Sequence, residues 1–379
     1  MSAIYYIGHY DLKDEPRSVS PAAVTMMDYV SEVIQREGFQ CNILSCASDV
    51  VSHIEKKVVL NDGRKVVFKP CFGKVAKTNF PKWLHYAYKR KKSLFQFLDH
   101  HINDGDTVIL YHSLVYIDAI KKLISRKKIH LIIQVCEIYS DVINDNRQKQ
   151  RELDFFKLAD GFIFSTAHLG NLINIDNKPS CVCLGTYKIE HSYSAASLTN
   201  DCINVVYAGT LDPRKGGATA AATAAAFLPK DYTVHVLGFG SQEEIDHVCS
   251  IIEEANAQGN GKAIFEGVKR GSEFNHFVQN CRIGLSTQEP TAKFNATSFP
   301  SKVLMYMANG LNVVSIDIPA IRQSAVSPAI TFYSKQEPDK IAKAVVEAVY
   351  NPKSPTEILK RLDKEFGEKL AFLLNYEVE

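Results

Sequence analysis

A chain of 379 residues with 46% hydrophobic residues, 23% charged residues and a formal net charge of +2 is longer than one hydrophobic core usually supports, so two domains of roughly 150–200 residues each are expected. The composition excludes an intrinsically disordered chain, and the near-neutral balance does not call for a nucleic-acid partner. Nine cysteines have neither the C-x-x-C spacing of metal or redox sites nor the even count of a secreted disulfide framework, so they read as buried thiols in a reducing compartment.

The chain opens with MSAIYYIGHYDLKDEPRS, which lacks a basic region followed by an apolar core. No apolar run approaches the roughly 18 residues of a membrane span, so a cytoplasmic location is expected. The first strand candidate, AIYYIG (3–8), ends at Gly8-His9, and PAAVTMMDYVSEVIQREG (21–38) follows with helical periodicity. Gly8-His9, together with Ser18 to Ala22 at the start of that helix, sits where a parallel strand presents residues to a ligand.

KKVVLNDGRKVVF reads as a β-hairpin around Asp62-Gly63. The stretch 79–93, NFPKWLHYAYKRKKS, mixes the single tryptophan and two tyrosines with six basic residues, counting His85. That is the composition of an interfacial membrane or anionic-acceptor patch, or of a partly solvated basic helix.

TVILY (107–111), HLIIQV (130–135) and GFIFS (161–165) are short, uniformly apolar strand candidates, as in parallel sheets covered on both faces. His112-Ser113 follows the first of them and Glu137 the second, where a parallel strand presents residues to a ligand. Residues 186–202, TYKIEHSYSAASLTNDC, have linker composition, and the domain boundary is placed there: 1–190 for the first domain, 201–350 for the second and 351–379 for a helical, charged end running back toward the first.

INVVYAG (203–209), YTVHVLG (232–238), AIFEG (263–267), RIGLS (282–286) and LNVVSI (311–316) continue the strands, with helical patterns at 215–228 and 241–259. This alternation predicts doubly wound α/β sheets. In such sheets a ligand lies outside the carboxyl ends of the strands, against helix starts with their outward N–H groups.

Two such starts carry cations. The loop TLDPRKGG (210–217) puts Arg214 and Lys215 beside two glycines, ahead of an alanine-rich helix. TSFPSKVLMYMANGLNVV (297–314) reads as a helix with Ser298 or Thr297 as cap, Pro300 at the first helical position, and Ser301 and Lys302 in the first turn. Lys302 faces the positive end of a helix dipole, which is disfavoured unless an anion intervenes. One reading leaves Arg214 and Lys215 solvated; the other gives all three cations a shared phosphate or diphosphate. No G-x-x-x-x-G-K-[ST] loop is present and no G-x-G-x-x-G follows the first strand, which removes support from ordinary ATPase and dinucleotide readings.

The GTLDPRKGG loop, the G-F-G turn at 238–240, AIFEGVKRGSEFNHFVQNCRIGLST and SFPSKVLMYMANGLNVVS together resemble the retaining GT-B glycosyltransferases of glycosyltransferase family 4, most clearly over 203–350. ELDFFKLADGFIFSTAHLGNLI (152–173) is similar to the segment that closes the first domain of that group. The resemblance implies two Rossmann-like domains facing each other across a cleft, a nucleotide diphosphate sugar of the UDP type as donor, no cofactor and no metal. The implied acceptor is a glycan, glycolipid, glycoprotein or lipid-linked sugar, and residues 79–93 are the candidate for a peripheral contact of the chain with the inner face of a membrane.

It further implies that Lys215 and Lys302 hold the diphosphate, with Arg214 substituting for an arginine whose usual place is taken by Thr210. His112 would approach the transferred sugar, and the base would lie against Glu266-Gly267-Val268-Lys269. Gly8, Gly238, Phe299, Pro300 and Ser301 complete the implied donor site. The group's two signature glutamates are replaced by Thr297 and Met305, with Glu289 the nearest other acid. F-P-S-K at 299–302 is similar to a motif of polysaccharide-assembly members. The missing glutamates keep open a catalytically inert partner of another glycosyltransferase; a nucleotide-sugar epimerase would need paired carboxylates that the sequence does not offer.

Overall fold

The computed structural model describes residues 3–12, 20–47, 55–70, 82–143, 145–191, 202–213, 217–291 and 298–376. Two compact units result: Met1–Thr186 with Glu365–Glu379, and Tyr187–Lys364.

The first unit is built on an eight-stranded sheet in the order β3-β4-β2-β1-β5-β6-β7-β8. Its strands are β1 (Ile4–Gly8), β2 (Cys41–Ser45), β3 (Lys56–Val59), β4 (Lys65–Phe68), β5 (Thr107–Tyr111), β6 (His130–Val135), β7 (Gly161–Phe164) and β8 (Ser180–Val182). All neighbours pair parallel except β3 with β4, the hairpin legible in the sequence. β7 is buried at all four positions, as expected when helices cover both faces of a parallel sheet. Ile7, Val108, Leu110, Ile133 and Val135 lie in one core with Phe155 and Phe156.

Arg64 ties the hairpin down. Its guanidinium, 4% exposed, bonds Asp28 at 2.9 Å and Asp62 at 2.7 Å, and Ser31 Oγ at 2.5 Å. The buried charge is thus paired and hydrogen-bonded, the condition for tolerating it inside.

The second unit has a six-stranded, all-parallel sheet, β11-β10-β9-β12-β13-β14, formed by β9 (Ile203–Thr210), β10 (Tyr232–Phe239), β11 (Lys262–Gly267), β12 (Ile283–Ser286), β13 (Asn312–Ile316) and β14 (Ile330–Tyr333). The helix Gln242–Gln258 opens with a capping box, Ser241 and Glu244 satisfying each other's backbone amides.

The division between units differs from the expected one at both ends. Residues 187–191 belong with the second unit: the Glu190 amide donates to the Ala308 carbonyl at 3.0 Å, and Asn275 donates to Glu190 at 2.7 Å. At the other end the second unit runs on past residue 350, because Lys353 N–H donates to Asn312 Oδ1 at 2.6 Å. The change of unit then falls inside the helix Pro355–Asn375: Phe366 stacks on Tyr29 at 5.8 Å, and Leu373 packs where a side chain on Gly161 would sit. Among the described residues no helix is long and apolar enough to cross a membrane, and no disulfide forms.

Candidate functional site

In the second unit the chain adds β10 and β11 on one side of β9, then returns to add β12, β13 and β14 on the other. β9 and β12 therefore flank the point where strand order reverses, the place where open α/β sheets leave a crevice. The pairing between them is short, Val205 with Ile283 and Val206 with Gly284. Beyond it the Ala208 amide is taken by the hydroxyl of Tyr306 at 2.7 Å. Tyr306 lies flat on Gly284, where any β-carbon would come within 2.3 Å of its ring. This tyrosine thereby fixes the helix Ser301–Ala308 against both strands of the switch point.

That helix differs from expectation at its start. Pro300 is the N-cap rather than the first helical residue, and it offers no side-chain cap bond. Ser298 consequently sits outside the capping position, and Thr297 lies outside the described residues. Phe299 is buried and anchors the turn, while Ser301 and Lys302 occupy the first turn as expected. At the far end Gly310 takes φ 84° and the Leu311 amide reaches back to Tyr306 O at 3.0 Å, a glycine-terminated helix end.

The oddly placed lysine has a partner the sequence did not suggest. Lys302 Nζ lies 4.1 Å from the ring centroid of Tyr207 on β9, beside Gly209, where a β-carbon would be 3.1 Å from the amine. A half-buried cation over an aromatic face gains roughly 0.5–2 kcal/mol, comparable with the few tenths to about 1 kcal/mol lost against the helix dipole.

The phenol of Tyr207 donates to the Thr210 carbonyl at 3.0 Å. Its edge meets Gly217, where a β-carbon would lie 2.7 Å from the hydroxyl oxygen. Gly217 starts the helix Gly217–Ala224, and its carbonyl accepts from the buried Thr287 hydroxyl at 2.7 Å. Both ends of the 210–217 loop are thus fixed to the switch point, whereas Arg214 and Lys215 themselves lie outside the described residues.

Around this centre the remaining donor-site candidates fall on neighbouring strand ends. Gly238 closes β10, and a side chain there would strike the Gly209 carbonyl at 2.4 Å, so the close strand approach requires glycine. Gly267 ends β11 at φ 67°, and Val268 beyond it is 50% exposed. Glu266 is occupied by His235 Nδ1 at 2.9 Å, which suits contact with a ligand through the backbone of this loop. Glu289 accepts from the Thr291 amide at 3.1 Å and hydroxyl at 2.7 Å. Met305 is half-buried.

The first unit has its own switch point, between β1 and β5, and it carries Gly8-His9 and His112. His9 Nδ1 and the Tyr116 hydroxyl share a hydrogen bond of 2.9 Å. Burial first and Arg90 second lower the His9 pKa to about 4, so His9 is neutral at pH 7. Ser20, which precedes the helix Pro21–Arg36, makes no side-chain cap bond, and Ser18 lies outside the described residues.

His112 does not project from its strand end. The side chain is fully buried, with Nε2 2.6 Å from Glu152 Oε1, and its ring lies 4.7 Å from that of Phe156 and 6.0 Å from that of Phe155. In a sheet covered on both faces, a residue one past the strand end enters the helix layer. Glu152 also accepts from the Tyr139 and Ser140 amides, each at 2.8 Å. Burial alone would raise its pKa, but the hydrogen bonds from His112 and Ser140 outweigh that and hold it below the ordinary glutamate range. Nδ1 of His112 is buried without a hydrogen-bond partner.

A polar cavity of about 460 Å³, lined by Asp104, Arg126, Lys128 and Asp160 among others, lies at the amino ends of β5–β7, the edge away from these residues. Among the described residues no group of His, Cys, Asp and Glu could hold a metal ion. In the 79–93 stretch, residues 79–81 lie outside the described set and Lys82–His101 is a helix. Sequence reasoning passed over Tyr207, Tyr306 and Thr287; the available signal was the set of glycines, 209, 217 and 284, that makes room for two tyrosines.

No protein-family model matches the chain, and no curated protein matches it. Solved structures do. The OtsA apo structure aligns over 100% of both chains at 12% identity with a TM-score of 0.71. A structure of trehalose-6-phosphate from E. coli bound with UDP-2-fluoro glucose aligns over 99% of this chain and 100% of its own at 11% identity and 0.69. Sucrose-phosphate synthase from Thermosynechococcus elongatus aligns over 98% of each at 13% identity and 0.66. At such identities the likeness is one of fold, the two-unit GT-B architecture of parallel α/β sheets.

Proposed function

We propose that this chain is a glycosyltransferase moving a sugar from a nucleoside diphosphate sugar, of the UDP type, to a glycan or lipid-linked acceptor with retention of anomeric configuration. The observation that carries the reading is the seat of Lys302: a cation in the first turn of an uncapped helix, at the switch point, beside the glycine-bordered loop that holds Arg214 and Lys215. A diphosphate is the anion that two adjacent cation-bearing helix starts fit. The E. coli neighbour bound with UDP-2-fluoro glucose supports a UDP-sugar on this fold, while fold alone leaves the activity to be argued from the site.

In the reaction, negative charge grows on the leaving diphosphate as the bond from the anomeric carbon breaks. Lys302, Lys215 and Arg214, with the first-turn amides, meet that charge where it develops, which is electrostatic stabilisation of the transition state. The loop 266–269 takes the base through its backbone, with Gly267 allowing close approach. With Thr297 and Met305 in place of carboxylates, ribose and sugar recognition falls to backbone groups, Ser301 and Glu289. His112, fully buried against Phe155 and Phe156 and bonded to Glu152, is assigned no part in the transfer and serves the packing of the first unit. The basic stretch 79–93 is proposed as the acceptor-side or membrane contact.

The test is a calorimetric screen of UDP-, GDP- and ADP-sugars, followed by a transfer assay with the sugar that binds. UDP-sugars are expected to bind in the micromolar to millimolar range usual for enzyme substrates. Absence of binding by every nucleotide sugar would overturn the reading and favour a non-catalytic partner.

A further inference from the structure

Resting on the functional reading above, we infer that His235 is the positioning residue of the base loop 266–269, tethering Glu266 from the neighbouring strand so that the loop presents its backbone to the nucleobase. His235 lies on β10 with its side chain 13% exposed. Its Nδ1 is 2.9 Å from Glu266 Oε1 on β11, and its Nε2 is 3.1 Å from Asn204 Oδ1 on β9. Asn204 is held in turn, its Nδ2 donating to the Asn280 carbonyl at 3.4 Å. One imidazole thus spans three strands.

The far end of the loop is tethered as well. Lys269 Nζ lies 4.8 Å from the ring centroid of Phe277, 3.8 Å from Glu266 and 3.5 Å from Glu273. Phe277, on the helix Gly271–Gln279, meets the His235 ring edge-on at 5.3 Å. The side chains at 266 and 269 are therefore largely covered, while Val268 between them is 50% exposed. Gly267 at φ 67° and Gly271 at φ 54° turn the backbone at either end, where glycine incurs no strain. Among the described residues the amides of Val268, Lys269 and Arg270 donate to no backbone carbonyl. They are left for an acceptor from outside, and the carbonyl oxygens of a pyrimidine supply one. A loop fixed before the ligand arrives spares binding the cost of ordering it.

The experiment compares two ligands on the full chain by calorimetry: UDP, and inorganic pyrophosphate, which keeps the diphosphate and lacks the base. His235→Leu should weaken UDP about tenfold and leave pyrophosphate within about twofold of the parental chain. Glu266→Ala should act in the same way, and the double variant should bind UDP no more than about threefold more weakly than either single one, because both remove one bond. Glu266→Gln keeps an oxygen before the ring and should restore UDP affinity to within about threefold of parental. A general loosening of the unit would weaken both ligands alike and would not be rescued.

Unchanged UDP affinity in His235→Leu, equal loss for the two ligands, or additive losses in the double variant would each overturn the assignment. Should His235→Leu fail to fold, Glu266→Ala against Glu266→Gln tests the same bond from its more exposed side, and equal UDP affinity in those two would also overturn it. A parental chain that binds no nucleotide overturns the functional reading and this inference with it. Parental UDP binding with any of the other contrary results overturns the His235 role alone.

Discussion

Replacing Lys302 by alanine is expected to lower turnover on the order of a hundredfold while leaving the fold intact. Two small terms decide the stability. Removing a cation from the positive end of the helix Ser301–Ala308 relieves up to about 1 kcal/mol. Losing the contact with the Tyr207 ring costs about 0.5–2 kcal/mol. The two nearly cancel, so unfolding free energy should stay within about 1 kcal/mol of the parental value. The functional term is one-sided, because nothing else in the helix start supplies a mobile positive charge. Lys215→Ala should behave likewise from the neighbouring loop. Lys302→Arg keeps the charge but places a wide planar group on a seat shaped for an ammonium, so it should recover only part of the loss. Steady-state transfer kinetics on folded variants check this, and full turnover in both alanine variants would sink the electrostatic mechanism.

The second large effect is on stability. Glu152→Ala removes the single carboxylate that serves His112 Nε2, Tyr139 N–H and Ser140 N–H. All are then left in a packed interior without that acceptor, and breaking such a buried pair costs about 3–5 kcal/mol. Glu152→Gln should cost less, about 1–3 kcal/mol, since its amide oxygen still accepts while its NH2 faces a donor. The pH dependence follows from the direction of the shift. Glu152 has a lower pKa folded than unfolded, so its contribution is complete above the ordinary glutamate value of about 4.3. It is lost as pH falls through the lower folded value. Denaturant curves of parental and Glu152→Ala protein should therefore be far apart at pH 7 and converge in acid. A gap of less than about 1 kcal/mol at pH 7 would show that the pair is not holding the strand end.

Most of the strands were legible because parallel strands buried on both faces leave uniform apolar runs. β7 and β12 have no exposed position, and both were readable as GFIF and IGLS. The strands passed over are those whose composition blurs that signal. β2 is CNILS and β8 only three residues, SCV, in which cysteine, asparagine and serine dilute the apolar run. β14, ITFY, sits behind a 3-10 turn at Ser327–Ala329.

The site was legible at the level of charge and not of geometry. A lysine at a helix start is visible in one dimension, but its support comes from Tyr207, some 95 positions earlier by number. A tyrosine inside VVYAG reads as core, and its second role depends on which glycines face it. His112 shows the converse. Its position after a strand suggested exposure, and the aromatic pair Phe155-Phe156 with Glu152, far along the chain, turns it inward. Pro300 acts as cap rather than first helical residue for a local reason: its φ of −71° and ψ of 105° are extended, so the helix begins only after it.

The most direct measurement is glycine-selective nitrogen-15 NMR of the full chain during a UDP titration. Gly209, Gly217, Gly238 and Gly267 stand at the carboxyl ends of β9, β10 and β11 or at the helix start between them, while Gly38, Gly105 and Gly161 lie elsewhere in the first unit. The account predicts saturable shifts in the first set and none in the second, with the response of Gly209 weakened in Lys302→Ala. Shifts confined to the second set, or no saturable shift in any glycine, would contradict a diphosphate site at the β9/β12 switch point.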